Sequence, residues 1–99
     1  MTTQVFRFKF ADPFIAAEAE LTLHLATYAV EGLFGSSQVR MEVEYELDRA
    51  SDAIVIAAGT EVGAALTKVF TSLLLREFGE DAFVVRGAES KVMSDGKAA

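Results

Sequence analysis

The apolar positions of the chain follow two periods, and the switches between them mark out its elements. Val5 to Phe10 alternates strictly, with Phe6, Phe8 and Phe10 on one side and Val5, Arg7 and Lys9 on the other. That is the period of a strand with one buried face. Asp12-Pro13 then reads as a helix start. The aspartate carboxylate accepts from free backbone N–H groups, and proline at the first helical position lacks only an N–H that would have no partner there. From Pro13 to Phe34 the spacing predicts a helix that Gly35 ends. Glu20 to Leu25, taken alone, alternates like a strand. Over the longer window Glu20, His24, Thr27 and Glu31 recur at spacings of four, three and four, a single polar stripe along a helix.

Gln38 to Asp48 alternates again. Val39, Met41, Val43, Tyr45 and Leu47 oppose Arg40, Glu42, Glu44, Glu46 and Asp48, which predicts a long strand with a charged solvent face. Arg49 to Asp52 supplies a turn into Ala53–Ala58, which is apolar on both faces, as a central strand is. Gly59 and Thr60 open a second helix, with Thr60 as its N-cap. Val62, Leu66, Val69, Phe70, Leu73 and Leu74 lie on its apolar face and Gly79 ends it. Ala82 to Arg86 predicts a last short strand. After Gly87 the apolar pattern is lost, so the expected organisation is one domain over 1–87 and a flexible C-terminal tail over 88–99.

The resulting order is β-α-β-β-α-β. It predicts an α+β fold of the ferredoxin-like kind: a four-stranded antiparallel sheet with two helices on one face, and the first and third strands in the centre.

Composition narrows the partners. The 99 residues carry a formal net charge of −6, which disfavours nucleic acid and anionic lipid as partners, because phosphate is bound by surplus Lys and Arg. There are no cysteines, so thiolate chemistry and cysteine-based metal sites are excluded, and a reducing cytoplasm is the expected location. Met1 to Gln4 shows no basic segment leading into an apolar run, and no stretch approaches the ~20 apolar residues of a membrane span. No signal peptide, membrane association, metal or other cofactor is expected.

Candidate chemistry is sparse. His24, the single histidine, lies one helical turn from Glu20, but no metal-ligand motif surrounds the pair. Glu42, Glu44 and Glu46 share one side of the expected long strand, where carboxylates two residues apart are ~7 Å apart and only mildly coupled in water. Gly59, Thr60 and Gly63 surround a strand-to-helix turn where a small molecule carrying a phosphate would meet free N–H groups. Glu61 in that turn repels anions, and no phosphate-loop lysine follows. The serines fall in no nucleophile elbow.

The helix from Pro13 is the anomaly. Phe14, Leu21, Leu25 and Tyr28 line one side; Ile15, Ala19, Ala26, Val30 and Leu33 line another; Leu23 and Phe34 lie beyond. A helix resting on one sheet needs an apolar arc of little more than a third of its surface. The excess points to association, as a homo-oligomer (dimer) or with another protein, rather than to catalysis. Ile15, Leu23, Val30, Leu33 and Phe34 are the expected contact residues. Val55 and Ala57, on the open face of the sheet, form a second expected contact. The alternative is a regulatory domain that binds a small molecule near 59–63 or at a subunit interface.

Overall fold

The computed structural model describes the backbone of residues 2–91 and the side chains of residues 4–89. The elements run β1 (Thr2–Phe10), α1 (Pro13–Phe34), α2 (Ser36–Glu42), β2 (Tyr45–Asp48), β3 (Ala53–Ala57), α3 (Glu61–Phe78) and β4 (Phe83–Lys91), with single 3-10 turns at Arg49–Ser51 and Glu80–Ala82. The strands form one antiparallel sheet in the order β2-β3-β1-β4. The fold is α+β, with β1 and β3 in the centre of the sheet.

The alternation in β1 decides which face is buried. Phe8 and Phe10 stand in the core with Ile54 and Ile56 of β3 and Phe83 of β4. The register is Phe8 opposite Ile54 and Phe6 opposite Ile56. Against this face lie Ala19, Leu23, Ala26 and Val30 of α1, Val39 of α2, and Val62, Leu66, Phe70 and Leu74 of α3. Phe8 and Phe70 meet edge-on, with ring centres 4.9 Å apart. Val5 and Ala57 form a separate small cluster with Val55 on the opposite face.

Both long helices begin and end where their capping residues place them. The Asp12 carboxylate accepts from the backbone N–H of Ile15 at 2.9 Å, and the Thr60 hydroxyl accepts from that of Gly63 at 2.9 Å. Gly35 ends α1 at φ 85°, a conformation open to glycine at little steric cost.

Two elements differ from expectation. The long strand over Gln38–Asp48 is absent: Ser36–Glu42 forms the helix α2, and only Tyr45–Asp48 pairs with β3. Among the described residues there are therefore three helices rather than two. Val39 and Val43 are four residues apart and both pack on the core, which satisfies a helix as well as alternation does. Met41, which a strand would turn inward, is 85% exposed. The Gln38 amide also donates to the Glu42 carboxylate at 3.2 Å, a pairing that only helical spacing brings together. The last strand is longer than expected. β4 runs to Lys91 and pairs with β1 from Phe10 back to Thr2, so residues 88–91 belong to the sheet and not to a tail. The rest of the expected tail, 92–99, lies outside the described residues.

Gly63 fixes how closely α3 rests on the sheet. A Cβ there would stand 2.3 Å from the Ala57 carbonyl oxygen. Gly63→Ala is therefore expected to destabilise the chain by about 1–3 kcal/mol through overpacking, although alanine is the better helix former. Urea denaturation measures the loss, and an unchanged or higher midpoint refutes the close-approach account.

Candidate functional site

The turn at Gly59, Thr60 and Gly63 is closed by the chain itself. The Thr60 hydroxyl donates to the Glu42 carbonyl at 3.2 Å while accepting from Gly63. One oxygen of the Glu42 carboxylate accepts from the Val62 N–H at 3.3 Å. Two N–H groups that an anionic ligand would use are thus taken, one of them by a carboxylate. Glu42 owes this place to α2, whose C-terminal end abuts the start of α3.

The other polar candidates are dispersed. Glu20 reaches away from His24 to Arg49, accepting from its guanidinium at 3.0 and 3.2 Å. These bonds hold the Arg49 guanidinium above its ordinary pKa. His24 is exposed. Among the described residues no cluster of His, Cys, Asp and Glu is placed to hold a metal ion. The expected acidic row is broken, because Glu42 leaves it for the cap of α3, while Glu46 and Asp48 follow on β2. A hollow of about 190 Å³ between the start of α1 and the β2–β3 turn is lined by Pro13, Ala16, Glu20 and Arg49 among others. It is smaller than the ~300–1,000 Å³ of ordinary ligand pockets.

Asp48 is paired with Arg7 at 3.1 Å across β3. The hydrogen bond from Arg7 holds the Asp48 carboxyl below its ordinary value of 3.8, against some desolvation, with the Ser51 N–H helping. A carboxyl lowered in the folded state stabilises the fold above its unfolded pKa. That contribution is lost as pH falls through the lowered value. Asp48→Asn is therefore expected to flatten the fall of the melting temperature below pH 3.8 and to leave the slope at neutral pH unchanged. Melts recorded across the acid range check it, and an acid slope identical to that of the parent chain rules the pairing out as a source.

The apolar candidates separate into inside and outside. Leu23 and Val30 belong to the core and offer no contact surface. Ile15 and Phe34 pack partly against it. The cause is the position of α1, which lies on the sheet beside α3 and so turns the arc centred on Ala26 inward, taking Leu23 and Val30 with it. Ala57 is buried on the opposite sheet face and Val55 half-buried. Of the expected contact residues only Leu33 is mostly exposed, at 75%.

The excess apolar surface of α1 lies elsewhere. Phe14, Leu21, Leu25 and Tyr28 are 74%, 61%, 55% and 68% exposed. They form one stripe on the side of the helix turned away from the core. A groove beside it is lined by Glu18, Leu21, Thr22, Leu25, Glu77 and Phe78, and the Thr22 hydroxyl bonds the Glu77 carboxylate at its floor. The spacing of seven, four and three that joins these four residues is visible in the sequence. Which of two apolar stripes faces inward is decided only by the packing of α3.

Among the described residues no helix is long and apolar enough to cross a membrane. No protein-family model matches the chain, and no curated protein matches it in sequence.

Proposed function

We propose that the chain is a non-enzymatic association domain that forms a homodimer through the solvent face of α1. One observation carries this reading: Phe14, Leu21, Leu25 and Tyr28 stand exposed together along one helix. Soluble monomers rarely leave contiguous apolar patches beyond a few hundred Å² in water. Covering large apolar side chains returns ~1.5–3 kcal/mol for each one fully buried. The turn at 59–63 is taken by the Glu42 and Thr60 caps, and Glu20 by its ion pair with Arg49.

The frame suits the role. We read the strand order and antiparallel pairing as a ferredoxin-like plan with α2 inserted between the first helix and the second strand. Such a two-layer plan leaves the outer side of each helix open. The absence of cysteine and the acidic charge suit a cytoplasmic domain.

Sedimentation equilibrium tests the proposal. The mass is expected to rise from 10.7 kDa towards twice that through the micromolar range. Leu25→Glu is expected to hold the chain at the monomer mass, with its stability changed by no more than ~0.5 kcal/mol, since the site is on the surface. A monomer at every concentration, or a variant that still dimerises as tightly as its parent, overturns the reading.

A further inference from the structure

We infer that the two copies pair α1 to α1 in antiparallel fashion, about a two-fold axis beside residue 23, with Phe14 of each copy seated over Gly32 of the other. This rests on the self-association reading above and adds to it a geometry and a register.

The stripe is longer than its four large side chains. Phe14, Glu18, Leu21, Leu25, Tyr28 and Gly32 follow one another at spacings of four, three, four, three and four, and all six are exposed. That 3.5-residue period is the seam of two helices packed side by side at a small angle. α1 has 22 residues, so the seam occupies nearly its whole length.

Two seam positions carry no large apolar side chain. Glu18 puts a carboxylate in an apolar row. Gly32 is a poor helix former in the last turn of α1, and nothing stands within 4 Å of where its Cβ would be. Packing within one chain therefore does not require a glycine there.

Antiparallel pairing accounts for both. With the axis beside residue 23, Leu21 faces the partner's Leu25, Glu18 faces the partner's Tyr28, and Phe14 faces the partner's Gly32. Leucine meets leucine, a carboxylate meets a phenolic O–H that donates to it, and a large ring covers bare backbone. Parallel pairing would set Glu18 against Glu18 and glycine against glycine, a repulsion and a void. Sliding the antiparallel pair by one heptad puts Glu18 against the partner's Leu21 in one direction. In the other it carries Glu18 beyond the end of the partner's α1. One register satisfies every layer. A single helix pair is a small interface, at the low end of specific contacts, so micromolar association is expected.

The chain has no cysteine, so disulfide trapping is free of background. Phe14→Cys and Gly32→Cys, made separately and one of them tagged, are mixed and oxidised mildly. A disulfide needs Cα atoms within ~7 Å, whereas positions 14 and 32 lie ~27 Å apart along one helix. The mixed disulfide is expected to exceed either homotypic one about tenfold. In a parallel pair the homotypic bonds would dominate. Gly32→Leu, which fills the space required by the incoming Phe14, is expected to raise the dissociation constant at least tenfold, with an unchanged circular dichroism spectrum. If the chain sediments as a dimer but homotypic disulfides equal or exceed the mixed one, or if Gly32→Leu dimerises as tightly as its parent, this geometry fails and self-association stands. If the chain is a monomer throughout, both fail.

Discussion

The contact between Phe8 and Phe70, edge to face at 4.9 Å, ties the middle of the sheet to the middle of α3. Phe8 has Ile54 opposite it on β3 and Val85 opposite it on β4, so three strands converge on the residue that α3 touches. Phe83 comes within 6.3 Å of Phe8 and of Phe10 and closes the aromatic group. For Phe70 to reach this depth, the start of α3 must ride directly on the end of β3. Gly63 permits that by presenting no Cβ to the Ala57 carbonyl.

Once α3 is seated, the rest of the helical layer has little freedom. α1 must fill the space beside it and does so with small side chains, Ala19 and Ala26, alternating with Leu23 and Val30. α2 then serves two needs at once. Val39 extends the core under the end of α1, and Glu42 arrives at the N-terminus of α3, where a carboxylate meets both free N–H groups and the positive end of the helix dipole. The same segment as a strand would have paired its backbone but left that helix end to solvent.

This division explains what the sequence disclosed. β1 was legible because its phenylalanines alternate against charged residues. α1 and α3 were legible because their ends are marked by residue type: Asp12, before Pro13, and Thr60 cap the starts through their side chains, and Gly35 and Gly79 end the helices at positive φ. α2 was not, because Val39 and Val43 fit either period and the deciding facts are the exposed Met41 and a turn at Gly35 that bends the chain. The end of β4 was not, because Ala88 to Lys91 are held by backbone pairing with β1, which leaves no apolar trace. The surplus of apolar surface on α1 was evident from residue types alone. Its direction was not, since Leu23 and Val30 differ from Leu21 and Leu25 only in where α3 lies.

The two open faces of the domain differ in how far each covers itself, and this difference is the ground for proposing association at one of them and not at the other. On the sheet face most apolar residues are small or screened: Val5 and Ala57 are buried without any helix above them, the Arg7–Asp48 pair spans β3 beside Val55, and Val84 on β4, opposite Lys9, is the large apolar side chain left open there. A partner docking there would have to desolvate an ion pair for little apolar gain, and buried pairs rarely repay that cost. On the outer side of α1, among the described residues, no charged side chain is bonded across the stripe, and the nearest carboxylate bond, Thr22 to Glu77, lies at its edge and leaves the leucines open. The net gain on covering is therefore larger on the helix face, where the apolar groups are large and the polar ones few. That asymmetry is what favours α1, and not the open sheet, as the face for the proposed association.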